Sequence, residues 1–225
     1  MGIVTVSRQY GAGGQRVAPA LAEALGFRFA DREVVEQAAA RVGLDPDLAD
    51  HLDERVPALV EKVGLALAAA SPEFGLVTPP AADDRLLADG VRAVIESMAA
   101  AGGFVVLGRG GQAVLHRRPD AVHLQLVADL DDRVRRVMAS QGLSEQEARD
   151  ACARVDAERA GYVRRFSGVD IGDWHLYDAV LNTTRLGVEG AVDAAVVIVR
   201  RRLGPDTSAT RSGAAGPRPA DGSVG

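Results

Sequence analysis

Apolar residues fall in two alternating rhythms along this chain. Short β-branched runs occur at Ile3–Val6, in "FVVLGRGG", in "AVHLQLVADL" and in "DAVLN", each flanked by glycine or polar residues, which predicts buried strands. Between them the spacing changes to three and four. Val17, Leu21 and Leu25 predict a helix after the first strand, with Pro19 removing one N–H and bending it near its start. Leu87, Val91, Val94 and Met98 predict a second helix, stopped by Gly102 and Gly103. Asp129 is placed to cap a helix running towards Ser140, and a long charged helix follows from about Ser144 to Phe166. Val188, Val192, Val196, Val199 and Leu203 line a final helix. Strands alternating with helices predict an open α/β fold with a parallel sheet, in which ligands bind where strands end.

Two segments break the rhythm. After "FRFA", Asp31 opens a further helix, and residues 43–80 read as a polar helical insert ending in the loop "SPEFGLVTPP". Residues 204–225 are small, polar and proline-bearing, too poor in apolar surface to offset chain entropy, and are expected to be a disordered tail.

Composition narrows the class without naming the chemistry. The 225 residues are 47% hydrophobic and 25% charged, with a net charge of -5, which argues against a generic nucleic-acid binder. One cysteine, Cys152, allows no internal disulfide and gives no zinc spacing, and the four histidines show no ligand spacing. No metal site is expected from these residues. No run of about 18 apolar residues suggests a membrane span, so a cytoplasmic protein acting on small molecules is expected.

The chemistry concentrates in two glycine turns at strand ends. In "VTVSRQYGAGGQRVAPALAEAL" a strand, a glycine-rich turn and a helix follow one another, the layout in which backbone N–H groups cradle an anion. The phosphate-loop signature wants Gly-Lys-Ser/Thr at its end, whereas Gly14, Gln15 and Arg16 stand here. The residues alone leave two readings, an anion cradle or a simple turn. In the second turn, "LGRGG", Arg109 ends a central strand and can reach the same crevice, where a planar guanidinium grips phosphate with two hydrogen bonds. On the charged helix Arg154 can pair with Glu158 at i, i+4, while Asp156 and Arg159 share a face with Tyr162. Trp174 and Tyr177 border a base pocket or pack in the core.

Three segments, "VTVSRQYGAGGQRVAPALAEALGFRFADREVV", "FVVLGRGG" and "GVDIGDWHLYDAVLNTT", together resemble the cytidylate kinase-like family, over about Gly2 to Leu203. The resemblance implies a P-loop NTPase-type three-layer sandwich within residues 1–203. It also implies that 43–80 is the acceptor-binding insert and that a helical lid spans about 144–170. It implies ATP-dependent phosphoryl transfer to a nucleoside monophosphate, CMP or dCMP. The donor would lie against Ser7, Arg8, Gly11, Ala12, Gly13, Gly14, Gln15 and Arg16. Asp31, Arg109, Arg133, Arg136 and Asp156 would bind the acceptor, and Arg109, Arg154 and Arg159 would act on the transferring group.

This chain departs from the family's nucleotide kinases at three places. Gly14 stands for the lysine, Arg16 lies near where a hydroxyl would be, and Gly110 replaces the acid after the gripping arginine. Removing one well-placed donor costs about 3 kcal/mol of transition-state stabilisation, though Arg8, Arg16, Arg154 and Arg159 can supply charge. Mg²⁺ is then expected to ride mainly on the nucleotide's phosphates and water. A catalytically silent nucleotide-binding regulator and a kinase of another small acceptor are the two other readings.

Overall fold

The computed structural model describes residues 2–31 and 84–204. The expected insert at 43–80, the helix after Asp31 and the tail beyond Gly204 lie outside the described residues. Five strands, β1 (Ile3–Arg8), β2 (Arg28–Ala30), β3 (Phe104–Leu107), β4 (Ala121–Val127) and β5 (Ala179–Asn182), form one sheet in the order β2-β3-β1-β4-β5. Every pairing is parallel, and Val4 sits between Val105 of β3 and Val122 of β4. β2 escapes a pattern reading because its three residues are too few to show alternation.

Among the described residues six helices accompany the sheet: α1 (Gly14–Leu25), α2 (Asp84–Ala101), the single turn α3 (Gly111–Val114), α4 (Leu130–Gln141), α5 (Glu145–Ser167) and α6 (Thr183–Leu203). Alternation along the strands sorts the core into two layers. Val4, Val6, Val105, Leu107, Leu124 and Leu126 face α1 and α6, where Val17, Leu21, Leu25, Ala191, Ala195 and Val199 meet them. Ile3, Phe104 and Val106 face the other way, onto Val91, Val94, Ile95 and Met98 of α2. The result is an α/β three-layer sandwich on a parallel sheet, with β1 buried at its centre and the carboxyl ends of β1 and β3 opening side by side.

Local rules explain most boundaries and correct a few. α1 begins at Gly14, earlier than the apolar spacing indicates, and continues through Pro19. Asp129 occupies the N-cap position of α4, yet its side chain makes no capping bond there. α5 opens on a full capping box, in which Ser144 and Glu147 bond reciprocally. In α6 the buried stripe is Ala191, Ala195 and Val199, not the expected valines at 188, 192 and 196, which pack only partly buried. The helix is broken at Gly187 (φ 69°, ψ -177°).

One buried group makes the fold pH-sensitive. His123 on β4 bonds Thr5 Oγ1 of β1 through Nδ1 at 2.7 Å, and burial pushes its imidazole below the ordinary value of 6.5, against the pull of Asp178. Well above pH 6.5 both folded and unfolded forms are neutral and its contribution is complete. As pH falls below 6.5 the unfolded chain takes up the proton first, and stability declines until the folded pKa is reached. Melting temperatures read between about pH 7 and 5 should fall for the native chain and fall less for His123→Gln. Parallel slopes would show that another group controls the acid limb.

Candidate functional site

The glycine turn between β1 and α1 is braced from behind. Arg133 of α4 donates to the carbonyl of Tyr10 at 3.2 Å, and Arg136 donates to that of Gly11 at 3.3 Å. Thr183, at the junction of β5 and α6, donates its hydroxyl to the carbonyl of Ala12 at 3.0 Å and accepts from Arg136 at 2.9 Å. Because a peptide unit is planar and trans, each braced carbonyl turns the following N–H to the opposite side. The N–H of Gly11 is thereby turned away from Arg133 and that of Gly13 away from Thr183, while that of Ala12 closes the turn on the carbonyl of Gln9 at 3.2 Å. Gly14 and Gln15, first in α1, add the amides that a helix leaves open at its start. Gly11 is obligatory for two reasons: its φ is 77°, and a Cβ there would lie 2.7 Å from the carbonyl oxygen of Arg133.

The long helix α5 is tied to the same turn. Asp156 accepts from the backbone N–H of Tyr10 at 2.7 Å through one oxygen and from Arg133 at 2.6 Å through the other. Arg159, one turn on, donates to the carbonyl of Arg8 at 3.0 Å and lies over the Tyr10 ring, 5.5 Å from its centroid. Cys152 packs beneath, buried beside Val134, Val137 and Ala148, and burial pushes its thiol up. It is a packing residue here.

The second turn supplies the opposite wall. Gly108, Arg109 and Gly110 all have positive φ, and Arg109 at 56° is the one non-glycine residue so placed among the described residues. A side chain held in that sparsely allowed region is characteristic of functional sites. Its guanidinium lies 4.9 Å from the centroid of the Tyr162 ring. Two cavities meet at Arg109 and Tyr162. One of about 250 Å³ is bounded by Ser7, Arg8, Gly108, Glu158 and Arg159; the other, of about 430 Å³, by Asp89, Arg92, Arg165 and Phe166.

A family model described as the Cytidylate kinase-like family matches residues 3–185. The chain belongs to that family. Cytidylate kinase from Pyrobaculum aerophilum is 29% identical over 194 residues, covering 85% of this chain and 89% of that one. Uronate isomerase from Corynebacterium glutamicum is 32% identical over 122 residues, covering 54% of this chain, and the chain spans only 23% of that protein's length. Among solved structures, an uncharacterized protein from Eubacterium ventriosum superposes with a TM-score of 0.66 at 20% identity, covering 88% of this chain and 98% of that one, which bears on fold alone. Membership of the cytidylate kinase-like family supports a kinase that handles nucleotides.

Against that membership, the residues expected from sequence divide into three groups. Ser7, Arg8, Arg109 and Arg159 are brought together around the smaller cavity. Gly11, Ala12, Gly13, Gly14 and Gln15 form the turn and helix start, with Gln15 and Arg16 exposed. Arg133, Arg136 and Asp156, expected to touch an acceptor, hold loop atoms behind the turn, and Asp156 pairs with Arg133. Arg154 stands outside both cavities. Its side chain is 65% exposed and pairs with Glu158 at 2.8 Å, the self-satisfied face that the i, i+4 spacing offers. Asp31 follows β2 and is half-buried. Trp174 is 66% exposed and stacks on His175, which rules out core packing for it. Thr183 and Gln112 went unnoticed in the sequence; the hydroxyl following a late strand, "LNTT", was the one available signal for the first.

Among the described residues no group of three His, Cys, Asp or Glu could hold a metal ion. No helix among them is long and apolar enough to cross a membrane.

Proposed function

We propose that this chain moves the γ-phosphoryl group of ATP onto a nucleoside monophosphate, CMP or dCMP by its family. The carrying observation is the smaller cavity, where Ser7 and Arg8 at the end of β1 meet Arg109 and Arg159. Of its lining residues Arg8, Arg109 and Arg159 are cationic and Glu158 is acidic, and Glu158 is engaged by Arg154. That excess of positive charge suits a polyphosphate. The larger cavity, sharing Arg109 and Tyr162, is the natural seat for the acceptor, with aromatic walls in Tyr162 and Phe166.

The reaction needs positioning and neutralisation more than covalent chemistry. An acceptor phosphate oxygen forms a bond to the γ-phosphorus as the bond to the β,γ-bridging oxygen breaks, leaving ADP and a nucleoside diphosphate. Loop amides hold the donor, Arg109 orients the acceptor phosphate, and Arg159 reaches the transferring group from α5, which serves as the lid. Arg16 stands near the expected hydroxyl and would repel a cation there, so in this reading magnesium rides on the nucleotide's phosphates and water and enters as part of the MgATP substrate.

A coupled assay with MgATP and a panel of nucleoside monophosphates tests this, and cytidylates are expected to turn over fastest. Gly14 in place of lysine favours one rival, a regulator that binds without turnover. ATP binding in a calorimeter with no product from any acceptor would establish that rival, and a non-nucleotide acceptor would reassign the substrate.

A further inference from the structure

We propose that Arg8 is the cation that replaces the P-loop lysine, and that glycine at 14 is the steric consequence of that exchange. Arg8 is the last residue of β1, and its stem crosses directly over the first residue of α1. A Cβ on Gly14 would meet Arg8 Cγ at 2.9 Å, Cβ at 3.3 Å and Cδ at 3.4 Å. The guanidinium then ends against Gly108, where a Cβ would overlap Nη1 and lie 3.2 Å from Cζ. One side chain therefore spans from the donor loop to the turn that carries Arg109. While Arg8 keeps this path no side chain at 14, lysine included, fits beneath it, because a Cβ at 14 is fixed by the backbone and the stem of Arg8 would have to swing away.

Sequence alone reads this site as a loss, since lysine is missing. The structure reads it as an exclusion: room exists for Arg8 or for a lysine at 14, but not for both. Two further observations bear on the same cavity. Arg159 fixes the backbone of Arg8 by donating to its carbonyl, which holds the side chain's origin in place. Gln112, 1% exposed and lining the cavity beside the Tyr177 hydroxyl, has an Nε2 with no hydrogen bond of normal geometry, so a donor is left at the cavity wall. A guanidinium in this position presents a planar fork to phosphate oxygens on either side, where a lysine presents a point charge.

This assignment rests on reading the cavity as a phosphate site, and a binding cycle separates the two. Calorimetry with ATP and with inorganic tripolyphosphate is run on the native chain, Arg8→Gly, Arg8→Lys, Gly14→Lys and the double variant Arg8→Gly/Gly14→Lys, with turnover and melting temperature measured in parallel. Arg8→Gly is expected to weaken both ligands, and any turnover, by about a hundredfold. Arg8→Lys is expected to lose about tenfold, keeping the charge without the fork. Gly14→Lys alone is expected to melt lower and bind poorly. The double variant should regain binding to within about tenfold of native, because each change removes the obstacle to the other. Native-like affinity in Arg8→Gly, or a double variant no better than Arg8→Gly, overturns the assignment. If Gly14→Lys does not fold, the comparison of Arg8→Gly with Arg8→Lys decides, and equal losses in both overturn it. A cycle that behaves as expected with no transfer to any nucleotide leaves Arg8 assigned and removes the kinase reading. Turnover indifferent to Arg8 does the reverse, and a native chain that binds neither ligand defeats both.

Discussion

Asp156→Ala is expected to lower the melting temperature by roughly 5–10 °C and to abolish most phosphate binding. Asp156 is the point at which α5 grips the glycine turn, accepting from Tyr10 N–H at 2.7 Å and from Arg133 at 2.6 Å. Alanine would leave the Arg133 guanidinium, only 10% exposed, with its charge uncompensated. Breaking a buried pair costs about 3–5 kcal/mol, and the 28% exposure of Asp156 brings that down to about 2–3 kcal/mol. In a chain of this size each kcal/mol moves the midpoint by about 2–4 °C. Asp156→Asn, which keeps an acceptor for Tyr10 but loses the charge, should fall between. Because the pair is mostly shielded, added salt should change the difference little. Differential scanning calorimetry on the three proteins decides it; an alanine variant that melts like the native chain would mean α5 is held to the turn by other contacts.

Arg109→Gly is expected to lose about a hundredfold in turnover while melting higher than Arg109→Ala. The two variants remove the same guanidinium from the junction of the two cavities, so both lose the grip on the acceptor phosphate that is proposed for it. They differ in backbone. With φ at 56°, any residue with a Cβ is strained here, by about 1–2 kcal/mol, and glycine is not. Glycine's greater freedom in the unfolded chain returns up to about 1 kcal/mol of that gain. A net advantage of a degree or more for glycine over alanine is therefore the expected reading. Together the pair dissects function from strain: activity falls equally in both, and only the midpoint separates them. Turnover preserved in both would remove Arg109 from the reaction.

Much of this architecture is written in apolar spacing. The four longer strands and the helices around Leu21 and Val94 follow from it, since each buries a single continuous face. β2 and the break at Gly187 do not, because three residues carry no period and a lone glycine carries no phase. At the site, residue type proved a better guide to place than to role. The arginines at 133, 136, 154 and 159 all fall near the turn or on the helix tied to it. Spacing along a helix cannot say whether a guanidinium meets a carbonyl behind the loop, as Arg133 and Arg136 do, or faces the cavity in front of it. That distinction depends on the path of a chain segment more than 120 positions away. The exclusion between Arg8 and a side chain at 14 was hidden for the same reason, being a contact between the end of a strand and the start of the next helix.

The bracing of the turn by Arg133, Arg136 and Thr183 has a kinetic corollary. A loop whose peptide planes are already set needs no rearrangement when an anion arrives, so its ordering cost falls on folding and not on docking. Encounter should then be governed by diffusion and long-range attraction, with association rates that slow as ionic strength rises and show no plateau from a preceding conformational step.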